Sequence, residues 1–119
     1  MQTGFLTTHV LDTARGSPAG GLHITLFRLD NHDYKAISTA VTNEDGRTDN
    51  PILTTDDFQT GKYRLVFHAG PYLDLHFSEL PEPKFLSDIP IDFAIADAAS
   101  HYHVPLLLSP FGYSTYRGS

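Results

Sequence analysis

Near the end of this 119-residue chain, His101 and His103 are separated by a single residue. On a strand, that spacing puts both imidazoles on one face, about 7 Å apart along the backbone, from twice the ~3.4 Å rise per residue. It suits two ligands of a metal ion, with His9 as a candidate third nitrogen. It suits equally well two ordinary polar residues at a strand start, and no His-Glu-x-x-His pattern accompanies it. Other nucleophile patterns are weaker. Ser114 lies in Tyr113-Ser114-Thr115 without a Gly-x-Ser-x-Gly elbow. Cysteine is absent, which excludes thiol catalysis and disulfides. Most of the 14 acidic residues fall in turn-like stretches, and no glycine loop suited to cradling phosphate occurs. What remains is a histidine, arginine and tyrosine set: His9, Arg47, His103 and Tyr116.

The elements that must position this set follow from period-two alternation in short runs broken by turn residues, the pattern of an antiparallel all-β chain. Phe5 to Asp12 places Leu6, Thr8 and Val10 on one face and Thr7, His9 and Leu11 on the other. Arg15 to Gly20 breaks it. Leu22 to Leu29 follows, with Leu22, Ile24 and Leu26 inward, then a polar turn and Tyr34 to Thr42. Asn43-Glu44-Asp45-Gly46 closes that strand with a residue pair suited to positive φ, and Arg47 comes directly after. Thr54 to Thr60 reads as loop. Lys62 to His68 points Tyr63, Leu65 and Phe67 inward. Pro71 suits the first turn of a short helix, roughly Tyr72 to Ser78, which Pro81 and Pro83 stop. Ile89 to Ala96 turns Ile89, Ile91, Phe93 and Ile95 inward.

His101 to Ser109 gives Tyr102, Val104, Leu106 and Leu108 to the core and His101, His103, Pro105 and Leu107 to the other face. That outer face carries no formal charge, which points to cover by a subunit partner or a ligand. Pro105 lacks a backbone donor, so its pairing must lie at an edge or a bulge, or be imperfect. After the turn at Ser109 to Gly112, Tyr113 to Arg117 returns as a strand with Ser114 and Tyr116 on the His103 face. His9 joins them if the first strand lies beside this hairpin. About seven or eight strands and one helix result. Two packed antiparallel sheets are the economical architecture, with a small closed barrel as the alternative.

The totals bound what such a chain can do. One domain spanning residues 1–119 is expected at this length. A 40% hydrophobic content with 18% charged residues argues for a packed core. A formal net charge of -6 makes nucleic acid an unsuitable partner. No apolar run approaches the ~20 residues of a membrane span. Met1-Gln2-Thr3-Gly4 has neither the basic nor the apolar region of a secretory signal, and the ending is not Ser-Lys-Leu. A cytoplasmic location is the expectation.

Leu6-Thr7-Thr8-His9-Val10-Leu11-Asp12 with Gly16-Ser17-Pro18-Ala19, and Leu108-Ser109-Pro110-Phe111-Gly112-Tyr113-Ser114-Thr115 near the end, resemble the transthyretin family. The terminal Tyr116-Arg117-Gly118-Ser119 resembles the signature of its enzymatic branch, the 5-hydroxyisourate hydrolases. The resemblance covers essentially the whole chain and is least characteristic from Pro71 to Asp88. It implies a prealbumin-like sandwich of two four-stranded sheets with one short helix. It also implies a homotetramer, a dimer of dimers, with active sites in the channel between dimers. His9, Arg47 and His103 match the family's catalytic residues and Tyr116 its substrate-contacting tyrosine, with Ser114 and Ser119 as secondary contacts. The implied reaction opens the lactam of 5-hydroxyisourate with water, in urate breakdown, with no cofactor and no metal. A non-catalytic small-ligand carrier and a β-sandwich interaction module are the competing readings. Arg47 and the terminal tetrapeptide argue against both.

Overall fold

A computed structural model describes residues 3–118. Among these residues, eight strands form two four-stranded sheets. The first four are β1 (Phe5–Asp12), β2 (Ser17–Pro18), β3 (His23–Asp30) and β4 (Asp33–Val41). After a 3-10 turn at Thr55–Asp57 come β5 (Gly61–His68), helix α1 (Ala69–His76), β6 (Asp88–Ile95), β7 (His101–Ser109) and β8 (Gly112–Thr115). One sheet runs β2-β1-β7-β8 and the other β4-β3-β5-β6. No helix among the described residues is long and apolar enough to cross a membrane.

The faces assigned from alternation hold. Leu6, Val10, Leu106 and Leu108 from one sheet meet Ile24, Leu26, Leu65 and Phe67 from the other, all buried. Phe93, expected inward, is only half-buried, because β6 is an edge strand; its ring stacks on Tyr63 with centroids 5.8 Å apart. Removing these side chains from water drives the sheets together, at about 25 cal/mol per Å² of apolar surface.

Several expectations are corrected. The sheets are not wholly antiparallel: β1 and β7 pair in parallel over their lengths, from Phe5↔His101 to Asp12↔Leu108. Parallel neighbours need a long crossover, and here the entire second sheet lies between them in sequence. Ser17–Pro18, expected within a turn, forms a short edge strand on β1, where a proline costs no ladder bond. The helix starts three residues earlier than expected, directly after β5, so Pro71 still falls in its first turn. Part of the expected loop from Thr54 to Thr60 is the 3-10 turn.

Helix α1 is tied to the first sheet through a buried carboxylate. The Tyr72 hydroxyl donates to Asp12 Oδ2 at 2.7 Å and accepts from Arg15 Nη1 at 3.0 Å. Burial, followed by the Asp12 hydrogen bond, pushes the Tyr72 phenol up to about 12. The phenol therefore stays a neutral donor to Asp12.

Candidate active site

The parallel β1–β7 pairing puts Thr7 opposite His103 and brings His9 and His103 onto one outward face. Their ring centroids lie 6.4 Å apart. Arg47 arrives from the other side of β1. The Asn43–Gly46 turn folds back so that Val10 N donates to Gly46 O at 2.8 Å, and Arg47 bridges His9 across the strand edge. Gly46 takes φ 74°, the positive angle expected at this turn. A Cβ there would also stand 2.3 Å from the Val10 carbonyl oxygen. Turn chemistry thus places the guanidinium beside the imidazoles.

The fourth member comes from the carboxyl-terminal tail. The β7–β8 ladder runs from Ser109↔Gly112 to Leu106↔Thr115 and stops at Pro105, which has no N–H to offer. The imperfect pairing foreseen for Pro105 is therefore found, and the expected strand through Arg117 ends at Thr115. Beyond it the chain bows out through Tyr116 and Arg117, then returns where Gly118 N donates to His103 O at 2.7 Å. Arg117 anchors the bow by lying over the Tyr102 ring, 4.0 Å from its centroid. Gly118 sits so close to His103 that a Cβ there would stand 2.7 Å from the imidazole Cδ2.

These segments enclose an open pocket of about 480 Å³ lined by His9, Arg47, His103 and Tyr116, the four residues isolated from sequence. Thr7, Thr48, His101 and Gly118 complete much of the wall. Ser114, a sequence candidate, is exposed on the same face and is not among the residues that line this pocket. Ser119 lies outside the described residues. Thr7 was missed as a site residue, although alternation already put it on the His9 face. Its hydroxyl is 2.7 Å from His101 Nε2 and 2.8 Å from His103 Nδ1. Among the described residues no three His, Asp or Glu side chains converge at metal-binding spacing.

The electrostatics favour neutral imidazoles. Burial first, then the Arg47 guanidinium, holds His9 below the ordinary histidine value, against the opposing pull of the Asp45 carbonyl and carboxylate. His103 is lowered by burial, then by Arg47, then by His101 and His9. Arg47 makes no ion pair among the described residues. A guanidinium with no ion-pair partner among the described residues, beside two proton-accepting rings, suits water activation together with stabilisation of an oxyanion.

A two-sheet sandwich with this outward pocket defines a transthyretin-like protein. The HIUase/Transthyretin family profile matches residues 6–118, and the chain belongs to that family. The 5-hydroxyisourate hydrolase 2 of Rhizobium meliloti (strain 1021) is 58% identical over 118 residues, covering 99% of this chain and 98% of its own. A crystal structure of (S)-allantoin synthase superposes with a TM-score of 0.93 at 42% identity, over 99% of this chain. This chain spans only 44% of that longer one. Sea bream transthyretin in complex with thyroxine gives a TM-score of 0.84 at 29% identity, covering 95% of this chain and 93% of its own.

Proposed function

We propose that this protein hydrolyses 5-hydroxyisourate to 2-oxo-4-hydroxy-4-carboxy-5-ureidoimidazoline. The observation that carries the proposal is the pocket itself: two imidazoles held neutral beside a guanidinium without an ion-pair partner among the described residues. A hydrolase relative identical at 58% of aligned positions supplies the substrate.

In this reading water adds to the lactam carbonyl carbon while one imidazole takes its proton. The ring C–N bond then breaks, and the imidazolium so formed returns that proton to the departing nitrogen by way of the other imidazole, which leaves both rings neutral. His9 and His103 share these two roles. Arg47 supplies paired planar donors to the carbonyl oxygens and stabilises the oxyanion as it forms. Tyr116 positions the planar substrate. Atoms balance with water alone as co-reactant.

The assembly belongs to the same proposal. Tyr116 is 60% exposed and Tyr113 46% exposed on the sheet that carries the pocket. A homotetramer that closes the pocket between dimers would cover such aromatics.

The ultraviolet decay of freshly generated 5-hydroxyisourate, with and without the protein, tests the activity. Strong acceleration is expected. Decay at the spontaneous rate would refute it and leave a small-ligand carrier as the better account. Light scattering across a sizing column tests the tetramer, and a monomer at micromolar concentration would overturn that part alone.

A further inference from the structure

The Thr7 hydroxyl stands between two imidazole nitrogens, His101 Nε2 at 2.7 Å and His103 Nδ1 at 2.8 Å. A hydroxyl has one proton, so it donates to one ring and accepts from the other. Two arrangements satisfy both contacts. In the first, His103 donates from Nδ1 to Thr7, and Thr7 donates to His101. In the second, every donor is reversed. They leave opposite chemistry at His103 Nε2, the ring nitrogen that no hydrogen bond among the described residues engages. The first leaves a lone pair there, and the second leaves an N–H.

Three observations favour the first arrangement. The Arg47 cation acts on His103 from within the same pocket, and a lone pair faces a cation more favourably than an N–H does. When Nε2 takes a proton, the Nδ1–H bond to Thr7 persists and strengthens as the ring becomes charged; the reversed arrangement has no lone pair left to take one. His101 is also free to serve as the acceptor at the far end. Its ring stacks on Phe5 with centroids 4.2 Å apart and planes 13° apart, which aims Nε2 steadily at Thr7.

We infer that Thr7, backed by His101, is a positioning residue that holds His103 as its Nδ1–H tautomer and so presents Nε2 to the substrate as the base. This rests on the proposed hydrolysis and deepens it by dividing the roles: His103 takes the proton from water, and His9 then relays that proton to the leaving nitrogen. A carboxylate in the same place would orient the ring but also raise its pKa. A hydroxyl orients it without adding charge. His103 thus stays neutral and correctly turned in a site that already contains Arg47.

The test pairs spectroscopy with kinetics. In the unliganded wild-type protein, nitrogen-15 correlation spectra of the imidazoles at neutral pH are expected to show His103 protonated at Nδ1 and bare at Nε2. The opposite tautomer would overturn the inference whatever the protein's activity, so it is separable from failure of the hydrolase reading. Thr7→Val keeps the shape and removes the hydroxyl. It is expected to randomise the tautomer and lower kcat by about 10- to 100-fold, part of the 10²–10⁴-fold that acid–base catalysis supplies, with KM little changed. Thr7→Ser restores the hydroxyl and is expected to restore both tautomer and kcat. A Thr7→Val protein with wild-type kcat, or a Thr7→Ser protein as slow as Thr7→Val, would also refute the assignment. Should Thr7→Val fail to fold, His101→Phe removes the far acceptor and must shift the His103 tautomer in the same direction; an unchanged tautomer would count against it.

Discussion

His68 and His103 each lie half-buried on the outward face of a strand, and each touches a threonine hydroxyl, yet they are wired differently. His68 uses both ring nitrogens: Nε2 meets Thr25 Oγ1 at 2.9 Å and Nδ1 meets Asp88 Oδ1 at 3.0 Å. The arginine on the same strand is paired too, with Arg64 donating to both Asp92 oxygens at 2.6 and 3.0 Å. On the β1–β7 face no such carboxylate pairing occurs among the described residues. Among the described residues, His103 is held only through Nδ1, and Arg47 has no ion-pair partner. The same residue types are structural where their bonding capacity is used up, and available for chemistry where it is left open. That difference also explains why counting histidines on strands identifies no site.

Variants can break or sharpen this contrast. His103→Ala removes an unsaturated imidazole and is expected to cost about 10²–10⁴-fold in kcat, with the oligomer retained. A loss under tenfold would remove His103 from the chemistry. Gly118→Ala leaves every proposed catalytic group in place but drives a methyl into the His103 ring. Displacement of that ring is expected to cost up to about 100-fold, read as kcat on a protein of normal melting temperature. Wild-type turnover would show that the tail merely passes over the ring. His68→Gln, on the saturated face, is expected to leave kcat and KM unchanged and to alter stability by no more than about 0.5 kcal/mol. A large loss of rate there would erase the distinction between the two faces.

Much of the site was legible before any coordinates. Alternation along β1 and β7 put His9 and His103 on outward faces, and Arg47 was read directly after the Asp45-Gly46 turn. Hairpin geometry aligned Tyr116 with His103. What alternation could not supply was the neighbour relation between strands far apart in sequence. The parallel β1–β7 pair, and therefore the Thr7 contact with both histidines, depends on the core and the crossover through the second sheet. Ser114 shares the Tyr116 face, but it lies before the break at Pro105 and Tyr116 lies beyond it, where the chain bows out. The two-residue strand at Ser17–Pro18 was hidden because turn composition and a short edge strand look alike.

The central claim is that His9 and His103 are kept neutral by burial and by the Arg47 guanidinium, so that a base is present at ordinary pH. The sign follows directly. A histidine whose folded pKa is lowered is neutral above that value, so the base is lost only as pH falls below the ordinary 6.5. The most direct measurement is an NMR titration of both imidazoles in the wild-type protein and in Arg47→Gln, which needs no activity in the variant. The account predicts that both rings titrate below 6.5 in the wild type and that both values move upward in Arg47→Gln, where burial, and for His103 the neighbouring His101 and His9, remain to oppose the proton. Wild-type values at or above 6.5, or values unmoved by the loss of the guanidinium, would contradict it.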